Sequence, residues 1–448
     1  TLAQNRQVLY LLPEIAVTNA LTDRLQSAFG NRLLVYHSAI TNAKRAGIWN
    51  RLLDPSEEPL VVLGARSSLF LPFARLGLVI VDDEHDTSYK QQDPAPRYHA
   101  RNAALVLARL HKAKTLLCSA TPSLESYVHA TNGKYGLVKM PHTATQQPQI
   151  EIIDVRDLRR KNRMRGETLF SPQLIEYIRS VLDNGLKVIL FQNRRGASDT
   201  FTYYGFGSED IEREVHSLFP AVATVRLDTD TAHTRKAAER LLSDFVGGKA
   251  SILVGTQLVA KRRNYGGVGL VAVMNLDTIL NVQDFRAYER AFDMVFLLSA
   301  LTDATIPRPK IVLQTAQADN PAFPALRSLD YDAMARSQLA ERHAFAYPPY
   351  SRLITVILKA KSEQLLDTFA EEYAECLRTV FGDAVSEPST PTNSTSYSRQ
   401  SFFVRRIKLK TDITSPVATI RRSLESCYDR MRLTPFAGRI ILHYDVDN

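Results

Sequence analysis

Cysteine is scarce in this chain: there are three among 448 residues, and Cys118, Cys376 and Cys427 lie far apart without a CxxC spacing. A disulfide framework needs paired cysteines, and a structural zinc site needs four Cys or His ligands at close spacing. The sequence therefore excludes a disulfide-stapled fold, predicts that no zinc ligands are present, and indicates a reducing, cytoplasmic compartment.

Two other features are missing. No apolar run approaches the roughly 18 residues that a membrane span needs, and no signal-peptide pattern is present. The phosphate-binding pattern GxxxxGK[ST] is also absent, since Gly247-Gly248-Lys249 lacks its spacing. That pattern holds nucleotide phosphates with backbone amides and a lysine. The printed sequence thus lacks the usual phosphate loop.

What is present is an ordinary globular composition with an excess of positive charge. Hydrophobic residues make up 45% and charged residues 23% of the chain, which suits a soluble globular protein long enough for about three domains. The formal net charge is +9. A basic protein of this kind favours a polyanionic partner, and nucleic acid is the first expectation.

The most informative stretch is an aliphatic run, Leu76–Val81, that ends in the charged sequence Asp82-Asp83-Glu84-His85. We call these four residues the acidic tip. The run predicts a buried parallel strand, and ligands bind beyond the carboxyl ends of such strands. We expect Asp82 to hold Mg²⁺ and a second carboxylate to orient a water molecule. The alternative is a solvated turn after a core strand.

Apolar runs that alternate with helical stretches predict a parallel α/β sheet before residue 145 and a second one between residues 146 and 320. The runs of the first sheet are Val8–Leu12, Leu33–Tyr36, Leu60–Leu63, Leu78–Val81 and Thr115–Cys118. Those of the second are Val188–Phe191, Ala223–Leu227, Ser251–Val254, Val271–Asn275 and Ile311–Gln314. Residues 321–448 predict a small α+β domain of β-α-β-β-α-β type.

Aromatic and basic residues are interleaved in Tyr89–Arg101, which we call the aromatic loop. Bases stack on aromatic faces while Lys and Arg meet phosphates. The loop's candidates for single-stranded DNA are Tyr89, Lys90, Arg97, Tyr98 and Arg101. The alternative is a proline-rich surface loop. Near the C-terminus, further cations either meet DNA phosphates or form a solvated strand face; they are Arg399, Arg405, Arg406, Lys408 and Lys410.

The acidic tip, followed by Ser119-Ala120-Thr121, resembles the DExH box and the SAT motif of superfamily-two helicases. Further segments narrow the resemblance to the family of primosomal replication-restart helicases. These are Pro13-Glu14-Ile15, Arg66-Ser67-Ser68-Leu69-Phe70, Asp86–Gln91, Arg97–Arg101, Asn193-Arg194-Arg195-Gly196, Gly205-Phe206-Gly207, Asp284–Arg290, Tyr347–Arg352 and Tyr444–Asp447.

This resemblance implies two RecA-like lobes, ATP and Mg²⁺ as cofactors, and 3′→5′ DNA unwinding at forks. It also implies partners among replication-restart and single-strand-binding proteins, a monomer, and association with the nucleoid. Residues implied to couple nucleotide state to movement are Ser119, Ala120, Thr121, Gly255, Thr256 and Gln257; a cap or a turn is the plainer interpretation of each. Residues implied to bind DNA, besides the aromatic loop, are Arg66, Ser67, Asn193, Arg194, Arg195 and Lys261.

The chain also departs from the family pattern. Its start at Thr1 leads us to expect a fragment, since the family's phosphate loop precedes this point. Asp83 stands where the family has glutamate, Ala197–Tyr204 stands where the family has a two-zinc module, and Leu297–Ala304 replaces an arginine-rich motif. We therefore expect negligible ATP turnover from this chain. Two alternatives stay open: a non-catalytic DNA- or partner-binding scaffold, and another superfamily-two translocase.

Overall fold

The computed structural model describes residues 1–13, 19–38, 40–54, 56–140, 147–164, 166–193, 206–260, 265–390, 402–435 and 437–446. The chain divides into two compact units, one of Thr1–Leu137 together with Arg342–Asn448 and the other of Val138–Glu341. The C-terminal domain therefore shares a unit with the first lobe. The sequence predicted three domains one after another.

The first unit contains a five-stranded parallel sheet in the order β2-β3-β1-β4-β5. Its strands are β1 Gln7–Leu11, β2 Leu33–Tyr36, β3 Val61–Gly64, β4 Leu76–Val81 and β5 Lys114–Leu117. Its helices are α1 Asn19–Phe29, α2 Asn42–Leu53, α3 Ala100–Leu110 and α4 Leu124–Thr131. Side chains on both faces of β1 and β3 are buried, as a continuous apolar run requires. The predicted first sheet is confirmed.

The second unit contains a six-stranded parallel sheet in the order β6-β11-β10-β7-β9-β8. Its strands are β6 Gln149–Asp154, β7 Lys187–Phe191, β8 Thr224–Leu227, β9 Ile252–Gly255, β10 Val268–Val273 and β11 Lys310–Thr315. Its helices are α5 Val155–Arg160, α6 Pro172–Asp183, α7 Ser208–Leu218, α8 Arg235–Val246, α9 Gln257–Ala260, α10 Asp277–Leu280, α11 Ala287–Ser299 and α12 Phe323–Ser328, followed by α13 Tyr331–Ala344.

Strand β6 matches none of the apolar runs predicted for the second sheet. The strand is half polar, and the partly exposed Glu151 on it forms an ion pair with Lys310 at 2.9 Å. A strand of this kind at a sheet edge lacks the continuous apolar run by which the other strands were predicted. The five other strands of this sheet were predicted, so the two-sheet architecture is confirmed.

The C-terminal domain is a three-stranded antiparallel sheet in the order β13-β12-β14, with two helices on one face. Its elements are β12 Ser351–Ala360, α14 Glu363–Phe381, β13 Phe403–Asp412, α15 Val417–Arg432 and β14 Ile441–Val446. Among the described residues of this domain, the place of the expected fourth strand is taken by two isolated bridges, Val385 with Leu409 and Ser389 with Arg406. The predicted α+β class is confirmed. Among the described residues, no helix is both long and apolar enough to cross a membrane.

Candidate active site

The acidic tip is held by the ends of three neighbouring strands. The amide of Asp82 donates to the carbonyl of Leu11 on β1 at 3.0 Å, and the amide of Glu84 donates to the carbonyl of Cys118, just after β5, at 3.0 Å. The backbone of the tip therefore crosses the carboxyl edge of the sheet, where parallel-sheet proteins bind ligands.

Asp82 is partly exposed, and its two oxygens are only lightly engaged. The Tyr10 hydroxyl donates to Oδ2 at 2.9 Å, and the amide of Asp83 donates to Oδ1 at 3.2 Å. The surroundings are electronegative: burial raises the pKa of the Cys118 thiol, and the charges of Asp82 and Asp83 raise it further. Burial and the same two carboxylates also raise the pKa of Tyr10. This edge suits a cation.

The donor set fits Mg²⁺ better than a metal held by protein alone. No cluster of three or more His, Cys, Asp or Glu side chains is arranged for a metal in the part of the chain that the structure describes. Mg²⁺ is commonly bound by one or two carboxylates, with water and phosphate oxygens completing its shell. Asp82 is the side chain that would hold it, and this assignment stays a prediction.

Asp83 has a left-handed backbone, with φ of +44°. Among residues other than glycine, Asp and Asn adopt this conformation most readily. The turn continues as the amide of Asp86 donates to the carbonyl of Asp83 at 2.8 Å. The backbone therefore gives a local reason for aspartate at this position, where the resembling family has glutamate.

Glu84 is buried in a hydrogen-bond network, and its catalytic role stays a prediction. Its side chain is 1% exposed, and its carboxylate accepts four hydrogen bonds. The donors are Nη1 of Arg101 at 2.7 Å, the amide of Ser123 at 2.6 Å, Oγ of Ser123 at 3.1 Å and Oγ of Ser126 at 2.9 Å. A carboxylate so fully occupied ties the acidic tip to α3 and α4 and presents no oxygen to a ligand.

His85 connects the acidic tip to the Ser119-Ala120-Thr121 segment. Nδ1 of His85 lies 2.7 Å from Oγ of Ser119, and that hydroxyl accepts from the amide of Thr121 at 3.0 Å. Thr121 is buried and Ala120 is exposed. The two motifs that the sequence singled out are thus in direct hydrogen-bond contact, so a displacement of one would reach the other.

Three residues of the aromatic loop are buried and paired, and their contact with DNA stays a prediction. Tyr89 is 1% exposed and donates to the carbonyl of Asp82 at 2.6 Å. Lys90 forms a buried ion pair with Asp445, and Arg101 forms one with Glu84. Sequence spacing interleaves aromatics and cations but cannot tell which of them face inward.

The accessible aromatic surface near the loop comes instead from Phe70 and Tyr98. Their ring centroids lie 5.2 Å apart in an edge-to-face arrangement, and Phe70 is 62% exposed. Arg66 and Ser67 are partly exposed beside them, and Nη1 of Arg66 donates to the carbonyl of Ser88. Arg97 is paired with Asp93 at 3.1 Å. Sequence reasoning did not single out Phe70, although a large aromatic in a polar segment after a strand was a usable signal.

The second unit places Gly255 and Thr256 at the carboxyl end of β9, both buried, and Gln257 exposed at the start of α9. A Cβ on Gly255 would lie 2.7 Å from the carbonyl oxygen of Leu227 and would also meet Val259. Close packing therefore explains the glycine without a phosphate. Asn193 is partly exposed after β7. Arg194, Arg195 and Lys261 lie outside the described residues.

The C-terminal cations divide into paired and open ones. Arg405 donates to Glu363 at 2.9 Å and to Asp367 at 2.5 Å, so its charge is already matched. Arg406 and Lys408 lie on the face of β13 opposite its buried residues Ile407 and Leu409. Lys410 donates to the carbonyl of Phe345 and lies over the Tyr347 ring. Arg399 is outside the described residues.

Comparison with known proteins agrees with this arrangement. Residues 1–129 match the DEAD/DEAH box helicase family model. The replication restart protein PriA of Bacillus subtilis is 30% identical over 430 aligned positions, which cover 84% of this chain and 52% of that protein. PriA of Haemophilus influenzae is 32% identical, covering 84% and 57%, and PriA of Rickettsia conorii is 32% identical, covering 81% and 63%.

The chain is similar to PriA proteins. It is similar to these proteins along most of its own length, across both parallel-sheet lobes and the C-terminal domain. It spans between 52% and 63% of the three PriA proteins compared. The DEAD/DEAH match falls on the lobe that carries the acidic tip and the Ser119 segment.

Proposed function

We propose that this chain belongs to the motor of an ATP-dependent 3′→5′ DNA helicase that acts in replication restart. Its substrate would be forked or single-stranded DNA, its cofactors ATP and Mg²⁺, and its place the nucleoid of the cytoplasm. Replication-restart and single-strand-binding proteins would be its partners. The similarity to PriA proteins supports the class of activity, and the basic net charge supports a polyanionic substrate.

The observation that carries the proposal is the link between the acidic tip and the Ser119 segment. Asp82 and Asp83 create an electronegative edge where Mg²⁺ and nucleotide phosphates would sit. The contact between Oγ of Ser119 and Nδ1 of His85 adjoins that edge. A change in nucleotide state that moves the acidic tip would therefore displace the Ser119 segment through a single hydrogen bond. Mg²⁺, when bound, neutralises phosphate charge; the chain's own residues orient it and transmit the change.

DNA contact is proposed at the Phe70–Tyr98 pair. Base–aromatic stacking contributes about 1–3 kcal/mol per base, and it is less sensitive to salt than phosphate contact. The double variant Phe70→Ala with Tyr98→Ala should bind a labelled single strand roughly tenfold more weakly, with nearly the same salt dependence. Titration at several salt concentrations tests this. Leu110→Ala removes an exposed apolar side chain from α3 and serves as the matched control.

If the double variant binds like the parent, the Phe70–Tyr98 pair is an ordinary surface feature and the DNA assignment fails there. If the parent itself does not bind forked or single-stranded DNA, the proposed substrate is wrong.

A scaffold function is the second candidate, and Asp83 favours it, because aspartate is one methylene shorter than the glutamate of the resembling family and its carboxylate would reach less far toward a water molecule. The two candidates differ in how DNA affinity responds to nucleotide. A motor chain should change its DNA affinity when MgADP or MgATP is added, and Asp82→Asn should remove that response. A scaffold should bind DNA equally with and without nucleotide. Negligible ATP turnover by this chain stays a prediction under either function.

A further inference from the structure

A buried ion pair joins the aromatic loop to the last strand of the C-terminal domain. Nζ of Lys90 lies 2.5 Å from Oδ1 of Asp445, and the two side chains are 8% and 1% exposed. Nζ of Lys90 also donates to the carbonyl of Val446 at 3.2 Å. Apart from this ion pair, neither oxygen of Asp445 has a hydrogen-bond partner in the described part of the chain. Lys90 is thus the cation that compensates a fully buried carboxylate.

A second contact places the same loop against β14. Burial lowers the pKa of His443, and the cations Arg97 and Lys359 lower it further while Asp93 opposes them. Asp93 and Arg97 belong to the aromatic loop, so the loop lies close to His443 as well as to Asp445. The base of the loop is closed by its own backbone, where the amide of Gln91 donates to the carbonyl of Tyr98 at 2.9 Å.

The residue before Lys90 fastens the loop in the other direction. The Tyr89 hydroxyl donates to the carbonyl of Asp82 at 2.6 Å and to the carbonyl of Leu11 at 3.1 Å. The side chains of two successive loop residues therefore make contacts in different directions. Tyr89 contacts the acidic tip, and Lys90 contacts the C-terminal sheet.

An ion pair at this depth is not explained by stability alone. Desolvation of two charges offsets much of their attraction, and apolar residues of similar volume are often as stable. What an ion pair adds is a defined geometry, because a shifted Lys90 would leave the Asp445 carboxylate buried without a counter-charge.

We propose that Asp445 is a positioning residue that, through Lys90, fixes the aromatic loop beside the acidic tip. The C-terminal domain then sets the place of the segment that adjoins the Mg²⁺–nucleotide edge and contributes Tyr98 to the Phe70–Tyr98 surface. This inference rests on the proposed function for its consequence. Its structural part, that the loop's order depends on Asp445, stands independently.

Hydrogen exchange of residues 87–99, which comprise the aromatic loop up to the start of α3 and the two residues before the loop, tests the structural part in the free protein. In Asp445→Asn, amides of the loop should exchange at least tenfold faster than in the parent, whereas Asp445→Glu should recover part of the protection. Asp429→Asn removes a carboxylate from the exposed side of α15 in the same domain, and it should leave the loop unchanged.

A double variant, Lys90→Met with Asp445→Leu, distinguishes the loss of loop geometry from unfolding of the domain. It leaves no buried charge, so β12–β14 should stay protected, while the geometry imposed by the ion pair is lost. Faster exchange confined to residues 87–99 supports the proposal. Parent-like protection of the loop in this double variant overturns it.

A DNA arm separates this inference from the proposed function. A single-stranded oligonucleotide should bind Asp445→Asn roughly tenfold more weakly than it binds the parent, and Asp445→Glu should restore part of the affinity. Parent that fails to bind the oligonucleotide contradicts the proposed function, and the exchange result in the free protein still decides the role of Asp445. Equal affinity of the parent and Asp445→Asn, together with an unchanged loop, contradicts the inference alone.

Discussion

The carboxyl edges of the two parallel sheets are built alike, but their carboxylates are used differently. At the edge of the second sheet, Asp228 follows β8 and is fully buried, accepting from Ser208, Arg226, Thr231 and the amide of Asp230. Asp277, also buried, accepts from the hydroxyl of Thr315 and the amide of Ala316. Both carboxylates are therefore engaged in hydrogen bonds within their own unit.

At the edge of the first sheet, Glu84 is closed in the same way and Asp82 is not. Glu84 is buried within four hydrogen bonds, whereas Asp82 stays partly exposed and accepts from the Tyr10 hydroxyl and the amide of Asp83. The comparison teaches that an acidic residue after a strand is not by itself a site. A carboxylate whose oxygens are already satisfied organises the edge, and one that remains partly open is available to a cation.

Removing the closed carboxylate of the first edge should have the largest effect on stability. Glu84→Ala leaves the buried Arg101 guanidinium without its counter-charge, which typically costs about 3–5 kcal/mol. Trp49, the single tryptophan, lies on α2 and reports the unfolding of this unit in urea. Glu58→Ala, at an exposed position, should change the free energy of unfolding by less than about 0.5 kcal/mol. A similar small change for Glu84→Ala would contradict its structural role.

Removing the buried carboxylate of Asp228 at the second edge should have the next largest effect on stability, and this effect should depend on pH. Burial alone would raise the pKa of Asp228, but hydrogen bonds from Ser208 and Thr231 and the charge of Arg226 outweigh it, so its pKa is lowered. Its stabilisation is therefore present above the pKa of unfolded aspartate, near 3.9, and is lost as pH falls through the lower folded value.

Asp228→Asn should accordingly destabilise the second unit by about 2 kcal/mol at neutral pH, with a gap that narrows below pH of about 4. Hydrogen exchange of β8 and β9 amides measures that gap across pH. Asp183→Asn, at the exposed end of α6, is the control. A gap that widens on acidification would be inconsistent with a lowered pKa.

The same distinction between closed and open groups applies to the C-terminal cations, with a smaller effect. Arg406→Ala with Lys408→Ala should flatten the salt dependence of DNA binding by about one unit per lost phosphate contact. Arg405→Ala should leave that slope unchanged, because its charge already faces Glu363 and Asp367. Titrations of a labelled strand at several salt concentrations compare the variants. If Arg405→Ala flattened the salt dependence equally, paired and open cations would not differ in their contact with DNA.

Much of this architecture could be predicted from the sequence, because buried parallel strands are continuous apolar runs. Ten of the eleven strands of the two parallel sheets match a predicted run; β6 escaped because Glu151 and other polar residues interrupt its pattern. The positions of Asp82 and of Ser119 at one edge also follow from strand order.

Side-chain direction could not be predicted in the same way. Glu84 and Asp83 are neighbours of identical charge, yet one is buried and the other partly exposed, because the left-handed turn at Asp83 rotates the chain. Tyr89 and Lys90 sit in a polar, proline-rich loop, and their burial depends on the tip and on β14, which is about 350 residues away in sequence. Local pattern carries no information about such partners.

The central claim is that the carboxylate of Asp82 is available to bind a divalent cation, and iron-directed cleavage tests it most directly. Fe²⁺ substitutes for Mg²⁺ and, with ascorbate and peroxide, cuts the backbone close to where it binds. We predict cuts near residues 82 and 118 that excess Mg²⁺ suppresses and that Asp82→Asn abolishes while changing the free energy of unfolding by less than about 1 kcal/mol. Cleavage that is absent from this edge, or that persists unchanged in Asp82→Asn, would contradict the account.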